Sequence, residues 1–168
     1  MSAPLPPAPL PPAPLPPEEP PAPLPREERC ALLAEAEVAE LRRLADDCLA
    51  AEQVVNGAPV RVLLAPEVGT VSTPVREPVA GHRFLLGDVL ACRAEVELAG
   101  RRGWALRLGD DRAAVLAAAV LDAAAQVGPE LAAEVDALCH RVAGRRADRL
   151  AAEWAELSAT VVEFEELT

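Results

Sequence analysis

Two histidines, four cysteines, sixteen arginines and no lysine bound the chemistry open to this chain of 168 residues. Without lysine there is no Schiff base and no phosphate-binding loop of the G-x-x-x-x-G-K-[ST] type, so phosphate contacts fall to arginine or to backbone N–H groups. His82 stands in a turn between Gly81 and Arg83, and His140 follows Cys139 in a helical stretch. Either imidazole could serve as a general base, but no nucleophile is spaced to use it, and a surface histidine without catalytic duty is the simpler reading. The acid pairs Glu18-Glu19 and Asp110-Asp111 are adjacent in sequence, and a helix N-terminus accounts for the second.

Arginine forms two groups. Arg101, Arg102 and Arg107 belong to one hairpin, and Arg141, Arg145 and Arg149 recur at every fourth position of one helical stripe. Such a stripe clamps a polyphosphate or an acidic neighbour, or else faces water. Cys30, Cys48, Cys92 and Cys139 contain no C-x-x-C pair, and the adjacent Cys139 and His140 cannot aim at one ion from a helix. Cys30 and Cys48 lie about five turns apart, or ~27 Å along a continuous helix, too far for a disulfide. All four read as buried thiols of a reducing compartment, and no catalytic, cofactor or metal site is legible.

Acidic residues outnumber basic ones by 27 to 16, for a net charge of −11, and the aromatic side chains are only Phe84, Trp104, Trp154 and Phe164. That balance argues against nucleic acid as a partner. The longest clean apolar run, Ala113 to Leu121, is far shorter than the ~18 to 20 residues of a membrane span. No basic segment precedes Arg26 to start an export signal, so a cytoplasmic location is expected.

The elements that must position these residues begin after a proline-rich arm. Thirteen of the 18 prolines fall in the first 25 positions, and residues 3–17 repeat Ala-Pro-Leu-Pro-Pro three times. Proline fixes φ and lacks the N–H, so residues 1–26 are expected to form a disordered, polyproline II-like spacer, with docking through P-x-x-P as the alternative. Residues 27–168 then form the domain. Leu32, Leu33, Ala36, Val38, Leu41, Leu44, Cys48 and Leu49 follow three- and four-residue steps, predicting one long helix over about 27–53, ended by Asn56-Gly57 and Pro59.

Four strands are expected at Val60–Leu64, Val68–Arg76, Asp88–Leu98 and Gly103–Leu108. In the third, Leu90, Cys92, Ala94, Val96 and Leu98 share the parity that should face the core. Gly100-Arg101-Arg102-Gly103 reads as the hairpin turn, and Pro74 pushes its strand toward an edge or a bulge. Asp110 or Gly109 should cap a helix over Asp111–Gln126, and Pro129 starts the next. Leu131, Val135, Leu138 and Val142 step by 4-3-4; beyond Gly144 the step resumes as Leu150, Trp154, Leu157, Val161 and Phe164. This is a seam for the chain's own core or for another subunit. Thr160-Val161-Val162 is poor helix and suits an extended arm, and residues 153–168 carry five glutamates with no basic residue. The expected fold is α+β: a long N-terminal helix, a four-stranded mostly antiparallel sheet, two C-terminal helices and an extended C-terminal arm.

Glu67, Gly69 and Thr70, then Arg76, Arg83 and Phe84, then Gly87 and Asp88 stand in segments that resemble the PhnG family, small subunits of the carbon–phosphorus lyase system. The likeness continues through Gly109 and Asp110 to Asp122, and the family can be laid along residues 30–164. The resemblance implies a cytoplasmic accessory subunit with PhnH, PhnI and PhnJ as partners. The system exchanges the adenine of ATP for an alkylphosphonate, giving ribose 1-alkylphosphonate 5-triphosphate. ATP is then a substrate of the complex rather than a cofactor of this chain, and a separate radical iron–sulfur subunit breaks the carbon–phosphorus bond. The nucleosidase-like step is attributed chiefly to PhnI, in keeping with the lack of a catalytic set here. Two departures stand out: the proline-rich arm, and an ending, Val162 to Leu167, that replaces a Phe-Phe-Thr-Met-like one. Trp154, Leu157, Val161 and Phe164 are the candidate interface residues at that end. The alternative is a stand-alone nucleotide- or anion-binding domain using Gly81-His82-Arg83 with the Arg101-Arg102 turn.

Overall fold

A computed structural model describes residues 23–55, 57 and 59–158. The expected disorder of the N-terminal arm, Val161, Phe164 and the C-terminal arm lie outside the described residues, apart from 23–25. Four helices and three strands follow in the order α1 (Arg26–Glu35), α2 (Val38–Val55), β1 (Arg61–Arg76), β2 (Arg83–Leu98), β3 (Arg101–Leu108), α3 (Arg112–Ala124) and α4 (Pro129–Ser158). The strands form one antiparallel sheet in the order β1-β2-β3.

The α+β class matches expectation, and three details differ. The first concerns the sheet, which has three strands where four were expected. Val60–Leu64 and Val68–Arg76 are one strand, because register shifts between Val62 and Leu64 and between Leu64 and Glu67 absorb Ala65-Pro66 as a bulge. A proline without an N–H need not end a strand where the ladder is already interrupted. Pro74 sits at a further shift on this edge strand, as its chemistry requires.

The second concerns the long first helix, which is two. Ala36 takes an extended conformation (φ −65°, ψ 149°), and the half-buried Arg107 of β3 donates to the carbonyls of Leu33 and Ala36. A side chain distant in sequence thus satisfies carbonyls that a helix end leaves open. The third concerns the β2–β3 turn, which is Ala99-Gly100 and not Gly100 to Gly103. Both turn residues have positive φ (49° and 74°), and Leu98 pairs directly with Arg101. This is the two-residue geometry whose twist suits antiparallel strands.

Gly103 is released from the turn to do something else. It lies in β3, buried, and a Cβ there would collide with the Ala119 carbonyl and the Ala123 nitrogen of α3. Glycine lets the helix backbone settle on the strand, with the alanine-rich face of α3 closing the contact. The core joins Cys92, Ala94, Val96 and Leu98 of β2 to Val115, Ala118 and Leu121 of α3, Leu32 and Leu33 of α1, and Leu41 and Cys48 of α2. Asp111, not Asp110 or Gly109, is the N-cap of α3, its carboxylate accepting from the Ala114 N–H at 2.8 Å.

In α4 the 4-3-4 seam is buried at Val135, Leu138 and Val142, with Cys139 beside it. The helix continues through Gly144, and every residue from Gly144 to Ser158 is exposed. Among the described residues, no helix is long and apolar enough to cross a membrane.

Candidate functional site

Because β3 pairs only with Ala91 to Leu98, the β1–β2 pairing runs on alone from Thr70↔Leu90 to Arg76↔Arg83. Opposed residues in an antiparallel pair share a face, and successive ones alternate. One face of this ribbon therefore carries Thr70, Ser72 and Pro74 with Leu90, Asp88 and Leu85; the other carries Val71, Thr73 and Val75 with Val89, Gly87 and Phe84. Both faces are open and carry exposed apolar side chains, the first among polar ones that include Ser72, Asp88, Arg76 and Arg83, with Leu85 61 %, Phe84 50 %, Leu90 46 % and Val71 42 % exposed. Leu86, with no partner of its own at the register shift, is 66 % exposed. Gly87 has φ 156° opposite that shift, a conformation L side chains rarely adopt.

Polar contacts give the ribbon its shape. Ser72 donates to the Asp88 carboxylate at 2.6 Å, and Arg93 donates to Glu67 at 2.6 Å where the ribbon meets the three-stranded part. At the far end the Glu77 N–H bonds to the His82 carbonyl, and the Glu77 carboxylate accepts from the N–H groups of Val79 and Ala80, both at 2.6 Å. His82 is exposed there, and Val79 stands 92 % exposed. Gly109 closes the base, its N–H donating to the Leu90 carbonyl at 2.9 Å.

Thus Glu67, Gly69, Thr70, Arg76, Arg83, Phe84, Gly87 and Asp88 lie along one strand pair, while Asp110 is an exposed residue between β3 and α3. Trp154 and Leu157 are exposed on the distal part of α4. The anion site built from Gly81-His82-Arg83 and Arg101-Arg102 does not form. Its two halves sit at opposite ends of the 16-residue β2, a run of about 50 Å at ~3.3 Å per residue.

Asp122 has a different role. Its carboxylate, fully buried on α3, accepts from Arg26 Nε at 3.1 Å and Nη2 at 2.7 Å and from the Trp104 N–H at 3.0 Å. Cys30 Sγ approaches at 3.5 Å. A second pair, Arg29 to Asp136 at 3.0 Å, also binds Leu24, whose N–H reaches Asp136 and whose carbonyl accepts from Arg29. Together the two pairs fasten residues 24–29 onto α3, α4 and β3, so Leu24 to Arg26, expected in the arm, belong to the folded unit.

These groups are spent on structure. Burial, with Asp122 beside it, pushes the Cys30 thiol up to about 11, and burial pushes Cys139 up to about 12, so neither is a nucleophile at neutral pH. The arginine stripe meets an acidic neighbour within the chain. Arg141 and Arg145 pair with Glu40 at 3.6 and 2.6 Å, and Arg146 and Arg149 pair with Glu35 at 3.1 and 3.4 Å. His140 is half-buried on α4, remote in the fold from the ribbon end that holds His82. Among the described residues, no group of three His, Cys, Asp or Glu side chains is placed to hold a metal ion.

Two furrows mark the sheet face away from the helical core. One of about 500 Å³ lies between α1 and β3, walled by Cys30, Ala31, Ala34, Trp104 and Leu106. The other, about 330 Å³, has Gly69 and Ala91 between Val71 and Arg93, and the two share Leu106. Arg26 and Glu27 also line the first, which is otherwise apolar, while the ion-paired Glu67 and Arg93 with Thr70 make the second one half polar. Sequence reasoning did not single out Arg26, Arg29 or Asp136 and took Gly103 for a turn residue, because a charge's or a glycine's partner far along the chain leaves no local pattern.

The profile of a family described as phosphonate metabolism protein PhnG matches residues 24–168. The chain belongs to the PhnG family. The match takes in the ribbon, the Asp122 pairings and all of α4, and it starts at Leu24, the residue tied to Asp136. No curated protein matches the chain. PhnG membership makes this a carbon–phosphorus lyase subunit acting in phosphonate metabolism. In this PhnG chain the residues of the family resemblance lie mostly along β1 and β2, with Arg76, Arg83, Phe84, Gly87 and Asp88 on the open ribbon and Glu67, Gly69 and Thr70 on the wall of the smaller furrow.

Proposed function

We propose that the chain is an accessory, non-catalytic subunit of the complex that transfers an alkylphosphonate to ribose C1 of ATP, releasing adenine and giving α-D-ribose 1-alkylphosphonate 5-triphosphate. Its partners in this reading are PhnH-, PhnI- and PhnJ-like subunits, with the catalytic residues on one of them and ATP a substrate of the whole. The observation that carries the reading is the ribbon. A two-stranded ribbon is marginal alone in water, and one with apolar side chains on both faces gains most when another protein covers both. Asp88 is paired with Ser72 and Glu77 with the turn backbone, and in this reading the ribbon serves recognition. Inserted into a partner, the ribbon would order the segments that surround the partner's active site.

Co-expression with the PhnH-, PhnI- and PhnJ-like chains tests the reading. The subunits should co-purify, and replacing residues 70–88 by a short turn should release this chain and abolish ribosyl transfer. A chain that stays monomeric beside the others, or whose omission leaves transfer undiminished, sinks the idea. Titrated alone with ATP, the chain should bind little or none.

A further inference from the structure

The charges along α4 reverse at Arg149, the last basic residue of the chain. Up to that point the helix is held to its own fold, with Val135, Leu138 and Val142 buried. Arg141, Arg145, Arg146 and Arg149 reach Glu40 and Glu35, which border the junction of α1 and α2. Beyond it the helix runs to Ser158 with Leu150 52 %, Trp154 67 % and Leu157 60 % exposed.

At ~100° per residue, these three side chains fall within an arc of about 60°, a narrow apolar stripe. Glu153 and Glu156 lie on one flank, about 60° and 120° from Leu150; Ala151, Ala155 and Ser158 occupy the other. Arg149 falls on the glutamate flank, so that side of α4 is basic where it grips the chain's own glutamates and acidic where it leaves them. The sequence after Ser158 adds Glu163, Glu165 and Glu166.

The reversal decides what can cover the stripe. The chain's own α1–α2 surface presents Glu35 and Glu40 to this flank, and like charges repel. Two copies of the stripe would likewise bring glutamates together, and the basic residue on that flank, Arg149, is already paired with Glu35 at 3.4 Å. We infer that the distal part of α4 docks in an apolar groove on a partner subunit, with arginine or lysine along one rim. This rests on the reading of the chain as a subunit of an assembly. It adds a second contact, independent of the ribbon, whose specificity lies in the charged rim and whose affinity lies in Trp154 and Leu150.

The test uses the full chain and the remaining subunits purified together, with affinity measured at about 50 and 300 mM NaCl. Leu150→Ala with Trp154→Ala should weaken binding by about tenfold or more at both salts. Glu153→Arg with Glu156→Arg should weaken it most at low salt and abolish the salt dependence. The altered side chains are exposed, so circular dichroism should be unchanged in each variant. Binding of both variants within about twofold of the parent, with the parent's salt slope, overturns the inference. If the ribbon-shortened chain falls off while the α4 variants stay, only this inference fails; a chain that captures no subunit overturns the assembly reading as well. An isolated chain that dimerises until Trp154 is replaced overturns it in favour of self-association.

Discussion

The two halves of the β1–β2 hairpin follow different rules. In the half that β3 extends, apolar and polar side chains alternate: Cys92, Ala94, Val96 and Leu98 are buried, while Arg93 and Glu95 face out and Arg93 pairs with Glu67. In the ribbon β1 still alternates, Val71 and Val75 against Ser72 and Arg76, but β2 does not, its exposed Phe84 and Val89 falling on one face and Leu85 and Leu90 on the other. α4 repeats the contrast along a helix, buried at Val135 to Val142 and exposed at Leu150 to Leu157. A pattern the chain satisfies internally builds its core; a pattern it leaves open is what the proposed docking would cover.

The contrast is sharpest at the buried carboxylate. Asp122→Ala would leave the Trp104 N–H and the Arg26 guanidinium without their partner, and is expected to cost about 3 kcal/mol in urea unfolding while the ribbon stays paired. A loss below about 1 kcal/mol would break the assignment of Asp122 to structure. Gly103→Ala comes next, at about 2 kcal/mol, because α3 must move off β3 to admit one methyl group.

The ribbon should behave oppositely. Val71→Ala with Phe84→Ala is expected to change stability by less than about 0.5 kcal/mol, and a larger loss would place these side chains in the chain's own core. The smallest effect belongs to Glu40, whose carboxyl the Arg145 hydrogen bond holds below its ordinary value. Its contribution is present above the ordinary glutamate range and fades as pH falls through the lowered value. Glu40→Gln should therefore cost about 0.5 kcal/mol or less at pH 7, and less still as the pH falls through the lowered value, since both groups are partly open to water.

Much of the fold was legible. Periodicity placed the buried residues Leu32, Leu41, Cys48, Val135 and Leu138, and parity picked the core face of β2. The failures were local signals overridden from a distance. Ala65-Pro66 reads as a break, yet pairing with β2 carries the strand through it. Residues 27–53 read as one helix, yet Arg107 ends α1 after Glu35 from across the core. Gly103 reads as a turn residue, yet it is the floor under α3. The candidate site was legible as residues, through family likeness, and not as a shape. Nothing in Phe84 or Leu85 says that the third strand stops short of them.

The sequence by itself determined the α+β class, the helical seams and the PhnG likeness, because each is written in residue types and spacings along the chain. Only the tertiary structure decided that two runs are one strand, that the arginine stripe is answered by Glu35 and Glu40, and that Asp122 fastens α1. The physical reason is the same in each case. Pairing, burial and charge neutralisation depend on what lies opposite, and what lies opposite is set by the fold.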